Sequence, residues 1–225
     1  MNESKATIKI KIMKKILFLI DPGHGGTYPN EHDRAGQYVT SGKRSPKWDD
    51  RTFANGSPYV LFEGVNNRDN ARRLIQALND AGMDAIDIVN DWRDISLTDR
   101  ANRANQYART RSCVYISLHS NASGNGVDWA SAHGNGIYIA PTASMNSKRF
   151  ADIMEQNFLK NFDGVSRWRG IKNRNFYVLR ATNCPAILIE AEFHDNKESA
   201  KLMLTEDYKK RLIDTIVNSC YIYKQ

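Results

Sequence analysis

The stretch ILFLIDPGHGG, residues 16–26, decides the fold. Its first five residues, 16–20, are apolar and predict a buried β-strand, which the following aspartate, proline and glycines end. Glycine lets the backbone turn sharply and leaves the imidazole of His24 uncovered. The sequence therefore predicts a buried strand that presents one histidine on an open loop.

Short apolar runs alternate with helical patterns along the rest of the chain. Strands are predicted at residues 16–20, 85–89, 113–118, 136–140 and 186–190. Apolar residues at helical spacing predict helices after Glu63, after an N-cap at Ser96, over residues 150–158 and over residues 202–217. Gly82 marks the end of the first helix. This alternation predicts an α/β fold, a single domain whose mostly parallel, twisted sheet carries helices on both faces.

Three titratable residues follow predicted strands. His24, His119 and Glu190 each stand where a strand ends, and the carboxyl ends of parallel strands meet at one edge of a sheet. Two imidazoles and a carboxylate are an open ligand set for catalytic zinc. Glu63, just ahead of the first helix, is the best third ligand, although the helix dipole also favours a glutamate there. From the residues alone, ordinary loop and core histidines remain the more common explanation.

Glu190 ends the apolar run PAILIE. A carboxylate in that place is costly to bury unless it is paired or takes part in chemistry. We therefore expect either a salt bridge to an arginine or a general base and acid beside a metal. Glu192 competes for the same role, because residues two apart in a regular strand face the same side.

The chain has 225 residues and no linker-like segment, which favours one domain. We predict that this domain covers residues 15–225 and that residues 1–14 form an N-terminal extension or a first edge strand. Residues 27–58 are polar and lack a clear period, so they predict a long loop that forms a flap or rim over the site.

The formal net charge of +7 favours an anionic partner such as nucleic acid, a membrane surface or an acidic cell-wall polymer, or simply a solvated basic surface. The basic residues are dispersed and no nucleic-acid-binding motif occurs, so no nucleic-acid partner is expected. No apolar stretch is long enough to span a membrane, so no membrane insertion is expected. Three widely spaced cysteines predict a reduced protein and not a disulfide framework.

Five segments resemble the zinc-dependent N-acetylmuramoyl-L-alanine amidases of the type-3 amidase family. They are IDPGHGG (residues 20–26), FEGVNNRDNARRLIQAL (62–78), DISLTDRANRAN (94–105), SLHSNA (117–122) and VLRATNCPAILIEAEFHDN (178–196). Each motif is weak by itself, but the set follows the family order from residue 16 to about residue 201, and that order is specific.

The resemblance implies Zn²⁺ as the cofactor, held by His24, Glu63 and His119, with Glu190 as the catalytic carboxylate. It implies hydrolysis of the amide bond between N-acetylmuramic acid and L-alanine in peptidoglycan, the reaction by which endolysins and autolysins degrade the cell wall. Glu192 falls where the family often has a small or apolar residue, which leaves open which glutamate acts. Peptidoglycan is the expected partner, and a monomer is expected.

Two other functions stay open. A zinc peptidase acting on peptides would use similar ligands. A non-catalytic module that binds acidic glycan would hold a structural metal, with Cys184 considered as a fourth ligand. Because no export signal is visible, we expect synthesis in the cytoplasm without a signal peptide, followed by phage-type release or another non-Sec route to the wall.

Several further residues have two interpretations. Asn121 orients the second histidine or contacts substrate, or is simply a turn residue. Arg180 or a basic neighbour clamps a stem-peptide carboxylate, or lies on a solvated face. The basic stretch consists of Arg167, Arg169, Lys172, Arg174 and Arg180. The histidines expected to be structural or surface residues are His32, His133 and His194.

Overall fold

A computed structural model describes residues 15–28 and 37–225 of the chain. The predicted extension or edge strand at residues 1–14 lies outside these residues, and so do His32 and part of the loop predicted at residues 27–58.

The described strands form a single sheet. They are β1 (Leu17–Pro22), β2 (Asp84–Asp87), β3 (Cys113–Asn121), β4 (Asn135–Ile139), β5 (Trp168–Asn173) and β6 (Ala186–Phe193). Their order across the sheet is β2-β1-β3-β6-β4-β5. All neighbours are parallel except β4 and β6, which run antiparallel. The predicted mostly parallel sheet is confirmed.

Helices cover both faces of the sheet, as predicted. They are α1 (Glu63–Asp80), α2 (Leu97–Ala108), α3 (Met145–Asn161), α4 (Tyr177–Ala181), α5 (Lys197–Met203) and α6 (Glu206–Tyr223). Leu74 of α1, Phe150 of α3 and Ile216 of α6 are buried in one core layer. Ala104 of α2 and Leu179 of α4 are buried in the other layer. Among the described helices, none is long and apolar enough to cross a membrane.

Local signals set the helix ends. Ser96 caps α2 by accepting a hydrogen bond from the Asp99 N–H. Gly82, with a φ of 70°, follows the end of α1, as the sequence predicts. The pattern at residues 202–217 belongs to two helices, because Thr205 caps α6 and separates it from α5.

The sequence patterns do not predict β5 or α4. The edge strand β5 has basic residues where alternating apolar ones are expected, and its Gly170 has a φ of 82°. The helix α4 has only 5 residues, too few to display a helical period.

A buried ion pair fixes the end of β1. Asp21 accepts hydrogen bonds from Arg100 of α2 and from the hydroxyl groups of Tyr115 and Ser117. Burial raises the pKa of Asp21, but Arg100 and the hydroxyl groups together hold this pKa below its ordinary value. The pair ties α2 to the strand that leads to His24.

We expect Asp21→Asn to lower the free energy of unfolding by about 3–5 kcal/mol at neutral pH, because Arg100 stays buried without its counter-charge. The folded-state pKa of Asp21 is depressed. Its stabilising effect is therefore present above the unfolded-state pKa of about 3.9 and is lost as the pH falls through the folded-state value. Chemical denaturation from neutral pH down to strong acid measures the free energies of unfolding of the wild type and of Asp21→Asn. A difference between the two proteins that stayed constant into strong acid would contradict this account.

Candidate metal centre and cleft

Two buried arginines fix the backbone of His24. This residue has a φ of 64°, in the left-handed region, which costs a side-chain-bearing residue about 1–2 kcal/mol. Its carbonyl oxygen accepts hydrogen bonds from Arg68 Nη1 at 2.8 Å and from Arg100 Nη2 at 2.9 Å. Arg68 belongs to α1 and Arg100 to α2, so helices on opposite faces of the sheet hold the same peptide. These charge-assisted hydrogen bonds offset the strain.

Glycines let other segments approach the His24 loop. A Cβ atom on Gly23 would lie 2.1 Å from Cε1 of His119, and a Cβ atom on Gly64 would lie 1.8 Å from the carbonyl oxygen of Gly25. Neither separation is sterically possible. The bare backbone at Gly23 therefore makes room for the second imidazole, and Gly64 lets α1 begin against the loop.

The predicted ligands converge at this end of the sheet. Glu63 is the first residue of α1, and its Oε1 lies 3.0 Å from Nδ1 of His119 and 3.2 Å from Nε2 of His24. One ligand atom from each of the three residues lies within 4.8 Å of the others. Two imidazoles and a carboxylate match the donor set of an open zinc site, so these residues fit a divalent metal.

The same contacts set the charges of the cluster. Burial alone would raise the pKa of Glu63, but hydrogen bonds from His119 and His24 hold it well below its ordinary value. Burial lowers the pKa of His119, but the carboxylates of Glu63, Glu190 and Asp21 together outweigh burial and raise this pKa overall. Glu63 is thus kept ionised, which is the form that binds a metal.

Glu190 stands beside the cluster. It pairs with His119 in the register of β3 and β6, and it borders the same cleft. Its residue surface is partly exposed, yet Oε2 is buried and has no hydrogen-bond partner among the described residues. Burial raises the pKa of Glu190 to about 8. The side chain is therefore a carboxylate with an unused oxygen and a strong tendency to take a proton.

Glu192 does not share the face of Glu190, contrary to the sequence expectation. The register of β3 and β6 shifts between His119 and Asn121, and Glu192 has a φ of 63°. This bulge turns the Glu192 side chain to the other side of the sheet. Its oxygens there accept hydrogen bonds from the hydroxyl groups of Ser199 and Ser166 and from the Gly134 N–H. Glu192 is a buried structural carboxylate.

The cleft is a cavity of about 290 Å³ with two different walls. Leu97, Phe176 and Tyr177 form an apolar wall. Lys43 and Glu190 lie among the polar lining. A larger cavity of about 600 Å³ borders Glu192, and none of its lining residues belongs to the His–Glu–His cluster. We place the candidate site in the smaller cavity, because only there do the imidazoles and Glu190 meet.

Lys43 and His194 line the cleft, although the sequence did not single them out as site residues. Lys43 belongs to the loop predicted at residues 27–58, and its carbonyl oxygen accepts the Glu63 N–H at 3.0 Å. His194 was expected to be structural or at the surface. It is buried, with Nδ1 3.1 Å from the Ser120 carbonyl oxygen and 3.8 Å from Glu63 Oε2. Neither residue lies at the end of a periodic pattern, so no sequence signal singled it out.

The two predicted substrate contacts differ in position. Asn121 lines the cleft, and its Oδ1 accepts a hydrogen bond from the Ala122 N–H at 2.9 Å. Arg180 is exposed, lies outside the cleft lining and stacks its guanidinium 4.9 Å from the ring centroid of Tyr177. Its role as a carboxylate clamp stays a prediction.

We expect Gly23→Ala to weaken zinc binding by at least about tenfold while the chain still folds, because the new methyl group displaces the His119 ring from Glu63. Competition with a fluorescent zinc chelator measures the affinity, and circular dichroism checks the fold. Gly136→Ala is the matched control, since a Cβ atom there would have its closest contact at 3.5 Å. Equal zinc affinity of the two variants would contradict the steric argument.

Known proteins with similar sequences are N-acetylmuramoyl-L-alanine amidases. The sequence model of a family described as N-acetylmuramoyl-L-alanine amidase matches residues 18–220. The chain is 27% identical to the N-acetylmuramoyl-L-alanine amidase LytC of Bacillus subtilis over 96% of its own length and 37% of LytC. It is 38% identical to the amidase CwlM of Bacillus licheniformis over 48% of its own length and 38% of CwlM. The matches thus span little more than a third of these two relatives.

Solved structures share the fold. The N-acetylmuramoyl-L-alanine amidase from Clostridium difficile 630 superposes with a TM-score of 0.73 at 28% identity, over 93% of this chain and 97% of that one. The catalytic domain of CwlV from Bacillus (Paenibacillus) polymyxa gives a TM-score of 0.68 at 24% identity, over 93% and 97% of the two chains. Because the family match covers most of the chain, this protein belongs to the N-acetylmuramoyl-L-alanine amidase family.

Proposed function

We propose that the protein hydrolyses the amide bond between the lactyl group of N-acetylmuramic acid and L-alanine in peptidoglycan. The observation that carries this proposal is the His24–Glu63–His119 cluster with the unpartnered oxygen of Glu190 beside it in one cleft. Family membership supplies the substrate class, and the open ligand set suits hydrolysis of an amide.

His24, Glu63 and His119 would hold Zn²⁺, the metal whose ligand preferences they match. When bound, Zn²⁺ supplies a Lewis acid that activates water and polarises the scissile carbonyl group. The arginines that fix the His24 peptide orient the first imidazole. The Ser120 N–H, 3.2 Å from Glu63 Oε1, orients the carboxylate ligand.

Glu190 would act as the general base and then as the general acid. Its carboxylate takes a proton from the attacking water as the carbon–oxygen bond forms at the carbonyl carbon. It then gives this proton to the nitrogen of L-alanine, which leaves as a free amine when the carbon–nitrogen bond breaks. Burial, which raises the pKa of Glu190 to about 8, makes the carboxylate a stronger base than an exposed glutamate.

A non-catalytic glycan-binding module has less support than an amidase. A structural metal in a glycan-binding module requires a fourth protein ligand, for which Cys184 was the candidate. Cys184 lies six residues before Glu190, and the strand between them places the two roughly 20 Å apart. Within residues 15–28 and 37–225, the group of possible metal ligands at this site consists of His24, Glu63 and His119, and a metal held by these three would keep a coordination position open for water.

We expect Glu190→Gln to lower turnover by at least about a hundredfold while zinc content and thermal stability stay unchanged, because the amide cannot accept the proton. Release of wall fragments by the purified protein and metal analysis of the same sample measure the two effects. Retention of full activity would reject the assignment.

Glu192→Gln is the matched control for this carboxylate. Its side chain accepts three hydrogen bonds on the other face of the sheet, so the free energy of unfolding should fall by about 1–3 kcal/mol while the chemical step continues. Thermal unfolding and the same wall assay separate the two glutamates. Loss of turnover in a stable Glu192→Gln protein would move the catalytic role to Glu192.

The masses of the products test the scissile bond. An amidase leaves the sugar with an intact lactyl group and a stem peptide with a free L-alanine amine. A zinc peptidase would leave L-alanine joined to the sugar and shorten the peptide, and such products would overturn the proposal. Removal of zinc with a chelator should abolish release of either product, and added zinc should restore it.

A further inference from the structure

We infer that a row of four cations, two on the edge strand β5 and one just beyond each of its ends, binds carboxylates of peptidoglycan stem peptides that neighbour the stem held in the cleft. The basic strip consists of Arg167, Arg169, Lys172 and Arg174. This inference rests on the proposed function and extends it to a second contact surface.

A bulge places the basic strip on one face of the sheet. Asn135 of β4 pairs with Trp168, whereas Ile137 pairs with Ile171, so β5 contains one extra residue. Gly170, with a φ of 82°, lies within this bulge. Trp168 and Ile171 consequently both pack against the core layer of α3, although a regular strand would turn them to opposite faces. The side chains of Arg169 and Lys172 therefore point to the other face, where they contact Phe193 and Tyr138. Arg174 follows β5, and Arg167, just before it, also borders the larger cavity beside Glu192.

The basic strip has no acidic partner. No ion pair joins it to a carboxylate within residues 15–28 and 37–225. Arg169 instead lies 4.9 Å from the ring centroid of Phe193, and Lys172 lies 5.8 Å from that of Tyr138. Burial, reinforced by repulsion from the three arginines, lowers the pKa of Lys172. The four charges are thus close together, and no carboxylate in the described part of the chain forms an ion pair with them.

The basic strip lies on the same face as the catalytic carboxylate. Gly136 of β4 pairs directly with Glu190 of β6, and a Cβ atom on Gly136 would lie 3.6 Å from Cβ of Arg169. Glu190, Gly136 and Arg169 thus form a row across three strands. Because Gly136 has no side chain, β4 places no side chain between Glu190 and Arg169, whereas Tyr138, two residues further along β4, lies between Leu188 of the cleft and Lys172. Glu190 Oε2 and Arg169 Nε, at the two ends of this row, are buried and lack hydrogen-bond partners among the described residues.

Stem-peptide carboxylates fit this surface. Guanidinium groups bind carboxylates through two parallel hydrogen bonds. Alternate residues along a strand are about 7 Å apart, which suits a ligand that offers several anions in succession. Each exposed ion pair between a strip cation and a carboxylate contributes little to binding. The strip should therefore bind a glycan strand with several stems more tightly than a fragment with one stem.

The test compares two variants with the same change in net charge. The strip variant combines Arg167→Gln, Lys172→Gln and Arg174→Gln, and it keeps Arg169 because this residue packs on Phe193. The control variant combines Lys148→Gln, Lys160→Gln and Lys210→Gln, which lie exposed on α3 and α6. The substrates are a soluble muramoyl peptide with one stem, a soluble glycan strand with several stems, and the same strand with its carboxylates amidated.

We expect the wild-type protein to have a higher kcat/KM for the glycan strand than for the one-stem fragment. This ratio should fall about tenfold in the strip variant, through KM and not kcat, and should not change in the control variant. Amidation of the strand should remove the preference of the wild type, and high salt should weaken it. Equal preferences in the two variants would overturn the inference. A strip effect that survived amidation would also overturn it, because the ligand would then be another polyanion, such as a phosphate polymer.

Calorimetry measures how tightly each variant binds the glycan strand. The Glu190→Gln substitution is added to each variant, so that the substrate is not cleaved during the measurement. Failure of the wild type to cleave even the one-stem fragment would reject the proposed function. In that case the binding comparison of the strip and control variants would still decide whether the strip holds stem carboxylates.

Discussion

The site depends on the peptide of His24, on which two buried guanidinium groups converge. A left-handed residue with a buried carbonyl group would be costly if that group had no donor. Arg68 and Arg100 provide the donors, and they come from helices on opposite faces of the sheet. The position of the first imidazole is therefore set by the packing of α1 and α2 against β1, and not by the glycine loop itself.

Two bulges then decide which charged side chains share a face. The bulge in β6 removes Glu192 from the cleft and satisfies its oxygens on the far side, so one carboxylate is left beside the His–Glu–His cluster. The bulge in β5 brings Arg169 and Lys172 of the basic strip to the cleft side of the sheet. A single extra residue in a strand thus changes the electrostatics on both faces, because side chains alternate with a period of two.

The sequence predicted which titratable side chains converge better than it predicted the residues around them. His24 and His119 follow apolar runs, and such runs mark buried parallel strands whose ends meet at one edge. Lys43 and His194 escaped prediction, because each reaches the cleft through contacts with segments distant along the chain. The strand β5 was not predicted, because its basic residues and its bulge interrupt the alternation of apolar and polar residues that marks a strand.

The sequence by itself determined the alternation of strands and helices, the strand ends that carry His24 and His119, and the glycines that leave room for these imidazoles. These features depend on local periodicity and backbone freedom, which neighbouring residues encode. Only the tertiary structure decided which face Glu192 occupies, that Lys43 and His194 border the cleft, and that Arg169 of the basic strip lies in line with Glu190. Those outcomes depend on strand register and bulges, which arise from pairing between segments far apart in the chain.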